Sequence, residues 1–163
     1  MVELSRLIKP EYLKQRIVAL DPGETTGACI FYQGEMIDAT QLVTIPISTA
    51  IEAFDSYIVS TGVPDLVVYE DYRIYGWKAD THKWASLHTP KIIGVIETVC
   101  HFHDVPTEFR LAQQAKQFVT DARLEEWGLW LKGQQHARDA VRHAVYQLVH
   151  GKPQKAKNKL VKA

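Results

Sequence analysis

Two short runs constrain this chain more than anything else in it: Arg16–Leu20 (RIVAL) and Asp65–Tyr69 (DLVVY). Apart from their first residues, both are apolar throughout, without the alternation of a strand that has one wet face. Such runs read as strands buried on both sides, and a strand of that kind needs helices covering both faces of its sheet. Between them lie Gly27–Tyr32 (GACIFY) and Glu35–Val43, separated by Gln33-Gly34. That spacing is a hairpin signal, so the first three strands form an antiparallel meander. Ile47–Ser60 is helical, with Ala50, Ile51, Phe54, Tyr57 and Ile58 at helical spacing; Thr49 and Glu52 fit a capping box and Gly62 a helix stop. A strand, a helical crossover and a second buried strand predict parallel pairing of the two runs.

Beyond Glu70, Tyr72–Lys83 is a loop rich in aromatic and basic residues. An apolar helix covers roughly residues 84 to 102, and Pro90 either kinks it or begins its main part, with Thr89 as cap. Thr107–Leu111 is a short strand, Ala112–Val119 and Arg123–Trp130 are short helices, and Gln134–His150 is the final helix. The order βββαβαβα specifies an α/β fold. Its mixed five-stranded sheet runs as an antiparallel meander and then parallel strands, with helices on both faces. The chain's 163 residues make one domain, residues 1–150, followed by a basic tail, residues 151–163. The tail holds five lysines and no acid, which leaves the rest of the chain at a net charge of −5. With 46% hydrophobic and 23% charged residues, disorder and coiled coil are excluded. No apolar run approaches the roughly 18 residues of a membrane span, and the N-terminus lacks the apolar core of a secretory signal. Cys29 and Cys100 sit in apolar runs and read as buried thiols in a reducing compartment, so a cytoplasmic location is expected.

Candidate chemistry gathers where strands end. Asp21 closes the first buried run and opens DPGETTG, in which Gly23 and Gly27 allow a tight turn and close approach of a ligand. Glu70 closes the neighbouring parallel run. Ligands of open α/β sheets lie at the carboxyl ends of strands, so the two carboxylates fall a few Å apart, an arrangement that calls for a cation or a proton between them. On the last helix, His136, Asp139 and His143 share a sector of roughly 60° beside the apolar stripe Ala137, Ala140, Val141, Ala144 and Leu148. Asp21, Glu70, Asp139 and His136 together form an oxygen-rich cluster suited to Mg²⁺ or Mn²⁺; His143 either packs or contacts a phosphate. Two such ions about 4 Å apart clamp a phosphodiester and activate water for in-line attack.

These motifs resemble the RuvC family of Holliday junction resolvases, within the RNase H-like superfamily, over most of the chain from Ile17 to His150. IVALDPGETTG looks like the family's first-strand motif, VVYEDY its glutamate motif and HARDAVRHAV its C-terminal helix motif. AQQAKQFV is similar to the segment carrying a basic DNA-contacting residue, here Lys116. The overall pattern is most similar to phage-encoded members. The resemblance implies an RNase H-like fold and a homodimer that nicks opposing strands of a four-way junction symmetrically, leaving 5′-phosphate and 3′-hydroxyl ends. It implies Asp21 bridging two metal ions, Glu70 on one, and Asp139 on the other with His136 beside it. The helix over residues 84 to 102, with Ile92, Ile93, Val95, Ile96, Val99 and Cys100, corresponds to the family's dimer helix.

The chain departs from that pattern in three places. Asp71 follows the glutamate where a neutral residue is common; strand alternation sends the two to opposite faces, which selects Glu70. TDARLEEWGLW replaces a glycine-containing loop after the Lys116 segment. The family's junction-opening aromatic has three candidates, Tyr72, Tyr75 and Trp77. Arg73, Lys78, Lys83, Lys91 and the tail lysines join Lys116 as candidate phosphate contacts. Two alternatives stand beside junction cleavage: a nuclease of the same fold acting on flaps, forks or RNA–DNA hybrid, and a non-catalytic junction-binding protein. A nucleotide-binding ATPase of the sugar-kinase or actin type also begins with an Asp-x-Gly-x-Thr turn, but needs two such domains.

Overall fold

The computed structural model describes residues 2–73 and 87–153. Five strands, β1 (Arg16–Asp21), β2 (Thr25–Tyr32), β3 (Glu35–Val43), β4 (Leu66–Glu70) and β5 (Thr107–Arg110), form one sheet in the order β3-β2-β1-β4-β5. The first three pair antiparallel, and β4 and β5 run parallel to β1. The expected topology is therefore present. The β2–β3 hairpin turns through Gln33 and Gly34, both at positive φ, which is the geometry a two-residue hairpin loop requires.

Period-two alternation divides the strands' side chains between two cores. Ile17, Ala19, Cys29, Phe31, Leu66 and Val68 lie under α5 (Gln135–His150), packed against Ala140, Val141, Ala144, Val145 and Leu148. Val18, Leu20, Ala28, Ile30, Val67 and Tyr69 lie on the other face. There α1 (Ile47–Ile58) contributes Ala50, Phe54 and Ile58, and α2 (His88–Phe102) contributes Ile92, Ile96, Val99 and Cys100. Two short helices, α3 (Ala112–Phe118) and α4 (Asp121–Glu126), complete the α5 side. Both cysteines are free and buried, and burial pushes both thiols up from their ordinary range. Among the described residues no helix is long and apolar enough to cross a membrane.

Several local expectations are corrected. No capping box opens α1: Pro46 stands at the N-cap, and the Thr49 hydroxyl donates back to the Pro46 carbonyl at 2.8 Å. The proline at the cap position already fixes the entry of the chain. Leu87, rather than Thr89, caps α2, and Pro90 sits inside its first turn, where a missing N–H costs nothing. The second short helix spans Asp121–Glu126 and not Arg123–Trp130, because the Thr120 hydroxyl accepts from Arg123 N and starts it early. The candidate residues Tyr75, Trp77, Lys78 and Lys83, and the tail beyond residue 153, lie outside the described residues.

The sheet and α5 meet backbone to backbone at one point. A Cβ on Gly27 would lie 1.8 Å from the His136 carbonyl oxygen and 2.7 Å from Ala137 N. Gly27 thus serves the close approach of a helix rather than of a ligand. Gly94, exposed within α2, has nothing within 4 Å of its missing Cβ. The two glycines therefore respond oppositely to alanine. Gly27→Ala is expected to destabilise by more than about 3 kcal/mol, the upper end of overpacking. Gly94→Ala is expected to stabilise by about 0.5–1 kcal/mol through helix propensity. Urea unfolding of both variants decides the matter; a neutral Gly27→Ala would mean that α5 does not press on β2.

Candidate metal and nucleic-acid site

Parity and register bring the two strand-end carboxylates together. Ile17, Ala19 and Asp21 alternate on the α5 face of β1, as do Leu66, Val68 and Glu70 on β4. The parallel register pairs Leu20 with Tyr69, so the next step along each strand sets Asp21 beside Glu70. Asp71 falls on the opposite parity, and its N–H continues the ladder to the Arg110 carbonyl at 2.9 Å.

α5 then brings partners to both acids. His136 Nδ1 lies 3.0 Å from Asp21 Oδ2, and His143 Nε2 lies 2.8 Å from Glu70 Oε2. Where the acid is ionised it has no proton to give, and the ring nitrogen is then the donor in each pair. His143 is 1% exposed and is therefore a buried clasp on Glu70, out of reach of any phosphate. The first turn of α5 is held in turn by β3, where the Gln41 side chain accepts from His136 N at 3.1 Å. That bond satisfies one of the amide donors a helix start leaves free.

Asp21 is 9% exposed, and burial pushes its carboxyl up to about 6. The charge of Glu70 adds to the rise, the His136 hydrogen bond opposes it, and Asp139 raises it further. Three carboxylates thus share one electrostatic neighbourhood.

Asp139, 6% exposed, is held differently. Its Oδ1 accepts from Arg142 Nη1 at 2.6 Å, and its Oδ2 lies 3.3 Å from Lys116 Nζ. Arg142 also donates from Nε to the Val119 carbonyl at 2.9 Å and from Nη2 to Asp121. The expected DNA-contacting lysine therefore sits at the acidic cluster itself. Beside it opens a hollow of about 420 Å³ bordered by Lys116, Thr120, Gln135, Arg138, Asp139 and Arg142. On the other side of the cluster Glu70 borders a second hollow of about 430 Å³, together with Tyr72, Arg73, Thr89 and Gln113. Tyr72 is half-buried; Arg73 is exposed, with Nε 3.6 Å from Asp71. Lys91 lies on the exposed side of α2, away from the buried Ile92 and Ile96.

The donor chemistry fits a hard divalent cation: carboxylate oxygens that burial and mutual repulsion leave short of positive charge, with an imidazole at the edge. Among the described residues, no three His, Cys, Asp or Glu side chains are arranged as a ready coordination shell. Asp139 instead has a basic side chain on each of its oxygens.

Motif reading missed Arg142, Gln41 and Asp121. Arg142 stands three residues after Asp139, so the pairing was available in the helical spacing. Its burial was not, since an arginine on a helix flank ordinarily faces water.

Among solved structures, the chain is similar to Thermus thermophilus RuvC, with 16% identity and a TM-score of 0.61 over 80% of this chain and 91% of that one. It is likewise similar to T. thermophilus RuvC in complex with Holliday junction substrate, with 16% identity and a TM-score of 0.64 over 80% and 90%. The yeast mitochondrial Holliday junction resolvase Ydc2 matches with 13% identity and a TM-score of 0.51 over 91% and 82%. No family model and no curated protein matches the chain. At these identities the likeness establishes the fold alone, a RuvC-like, RNase H-like arrangement of sheet and helices.

The raised Asp21 carboxyl makes stability depend on pH. Its folded value, about 6, exceeds the ordinary 3.8, so the folded state binds the extra proton between those values and the penalty for ionising Asp21 is complete only above about pH 6. In chelator-treated protein, Asp21→Asn is expected to stabilise by about 2–3 kcal/mol at about pH 7.5 and by almost nothing at about pH 3.5. Urea unfolding at both values measures it; an equal gain at both would show that Asp21 bears no ionisation penalty.

Proposed function

We propose that the chain is a divalent-cation-dependent endonuclease that resolves four-way DNA junctions by paired symmetric nicks. The observation that carries this reading is the juxtaposition of Asp21 and Glu70 on neighbouring parallel strand ends, with Asp139 and its cationic partners beside them on α5. Comparable folds in T. thermophilus RuvC and yeast Ydc2, each described as acting on or being a resolvase of Holliday junctions, support it.

In this reading Asp21, Glu70 and Asp139, with His136 at the edge, hold Mg²⁺ or Mn²⁺, two ions in the full site. Bound there, the ions would supply charge neutralisation at the phosphodiester and an acidified water as nucleophile. The protein's own part is positional. The His143 clasp fixes which Glu70 oxygen faces the site, and His136 does the same for Asp21. Arg142 fixes the Asp139 carboxyl. Lys116, 49% exposed, and Arg73, 54% exposed, stand beside the two hollows that flank the acids, on the line a nucleic-acid backbone would follow. Tyr72 offers a face for base stacking at the Glu70 end. Water attack leaves 5′-phosphate and 3′-hydroxyl ends.

Two symmetric nicks require two sites, hence a homodimer. α2 supports one: it spends Ile92, Ile96, Val99 and Cys100 on its own sheet, yet still carries a half-buried Val95 and a Phe102 that is 78% exposed on a neighbouring side. One observation favours a second reading, a non-catalytic junction binder: both Asp139 oxygens already hold cations.

A labelled synthetic four-way junction, incubated with protein and Mg²⁺ beside linear duplex, flap and RNA–DNA hybrid, separates the readings. Paired nicks in the junction alone are expected. Glu70→Gln should lower the rate at least about a hundredfold, since groups acting merely through a metal ligand already cost ten- to a hundredfold. Equal cutting of flap or hybrid would reassign the substrate. Tight junction binding with no cutting in Mg²⁺ or Mn²⁺ would establish the non-catalytic reading.

A further inference from the structure

The two cations on Asp139 are not equivalent. Arg142 is 7% exposed and is committed three ways, to Asp139, to the Val119 carbonyl and to Asp121. It is fixed. The Lys116 side chain is 49% exposed, borders the open 420 Å³ hollow, and faces Oδ2 across 3.3 Å. A half-exposed ion pair of that kind exchanges readily.

An ammonium and a divalent cation on one carboxylate oxygen repel at close range, so each weakens the other's hold. A phosphodiester entering the hollow offers the ammonium an acceptor as good as a carboxylate. The other acid there, Asp121, has its Oδ1 engaged by Arg142.

We propose that Lys116 is a displaceable stand-in cation. It holds Oδ2 of Asp139 in the free protein, and a phosphate of bound nucleic acid draws it away and opens that oxygen to a divalent ion. The proposal rests on the reading of Asp21, Glu70 and Asp139 as a divalent-cation site. It makes nucleic-acid binding and completion of the metal site thermodynamically coupled, each strengthening the other through one side chain. Arg142 meanwhile keeps Oδ1 engaged, so the carboxyl stays in place when Lys116 leaves.

The test reads metal and DNA binding separately, without catalysis. Mn²⁺ binding to the DNA-free protein is followed by electron paramagnetic resonance and calorimetry for wild type, Lys116→Met and Lys116→Arg. Wild type should bind one ion well and a second weakly. Lys116→Met should tighten the second about tenfold, a typical coupling factor, and Lys116→Arg should resemble wild type. Junction binding, measured in EDTA across a salt series, should move the other way: Lys116→Met weakens it and lowers the slope of log K against log salt by about one. A lysine with a merely structural role would weaken both. Mn²⁺ binding that is the same in wild type and Lys116→Met overturns the exchange while leaving the metal site standing. Failure of wild type, Lys116→Met and Asp21→Asn alike to bind Mn²⁺ overturns the metal site and the exchange with it.

Discussion

The first turn of α5 rests on the bare backbone of β2, with the His136 carbonyl where a side chain of residue 27 would otherwise be. That contact fixes how deeply the helix sits over the sheet, and the site is a matter of depth. His136 reaches Asp21 and His143 reaches Glu70 only because the helix axis runs this close to the ends of β1 and β4. Gln41 reinforces the same point from β3. A helix held further out by an ordinary alanine contact would leave both carboxylates without their donors. The apolar stripe of Ala140, Val141, Ala144, Val145 and Leu148 makes close approach favourable along the helix, and Gly27 makes it possible at the end that matters.

Once α5 is seated, the electrostatics follow from period two. Each buried strand alternates between the two cores, so its terminal acid inherits a face from parity alone. Asp21 and Glu70 inherit the same one. Burial and the neighbouring charges then raise the free energy of ionised Asp21, and the imidazoles of His136 and His143 offset part of it. Asp139 adds its charge from α5, while Lys116 and Arg142 hold its own oxygens.

Much of this was legible in the residues. The antiparallel meander and the parallel pairing of β4 with β1 follow from two unalternating apolar runs, one hairpin signal and one crossover length. Alternation also selected Glu70 over Asp71. Helix starts were less legible. Pro46, Leu87 and Thr120 govern the observed boundaries through cap geometry and tertiary context, which outweigh the capping-box pattern of Thr49 and Glu52. Burial on the polar side of α5 was not legible. Asp139, Arg142, His143 and Gln147 recur at helical spacing, yet all are buried, because each finds a partner on another element. Burial of paired polar groups leaves no mark in hydropathy, since it depends on residues distant in sequence. The role of Gly27 was likewise invisible without knowing that a helix 109 residues later would lie across it.

The order in which these parts emerge during synthesis has its own meaning. β1 and β4 appear early and bring both acids, but among the described residues the side chains that donate to Asp21 and Glu70 belong to α5, the last of the described helices. A nascent chain therefore carries its carboxylates long before it can orient them, and one whole face of its sheet is uncovered for as long. Seating α5 closes the second core and assembles the site in a single event. The orientation of the two acids is therefore tied to closure of that core.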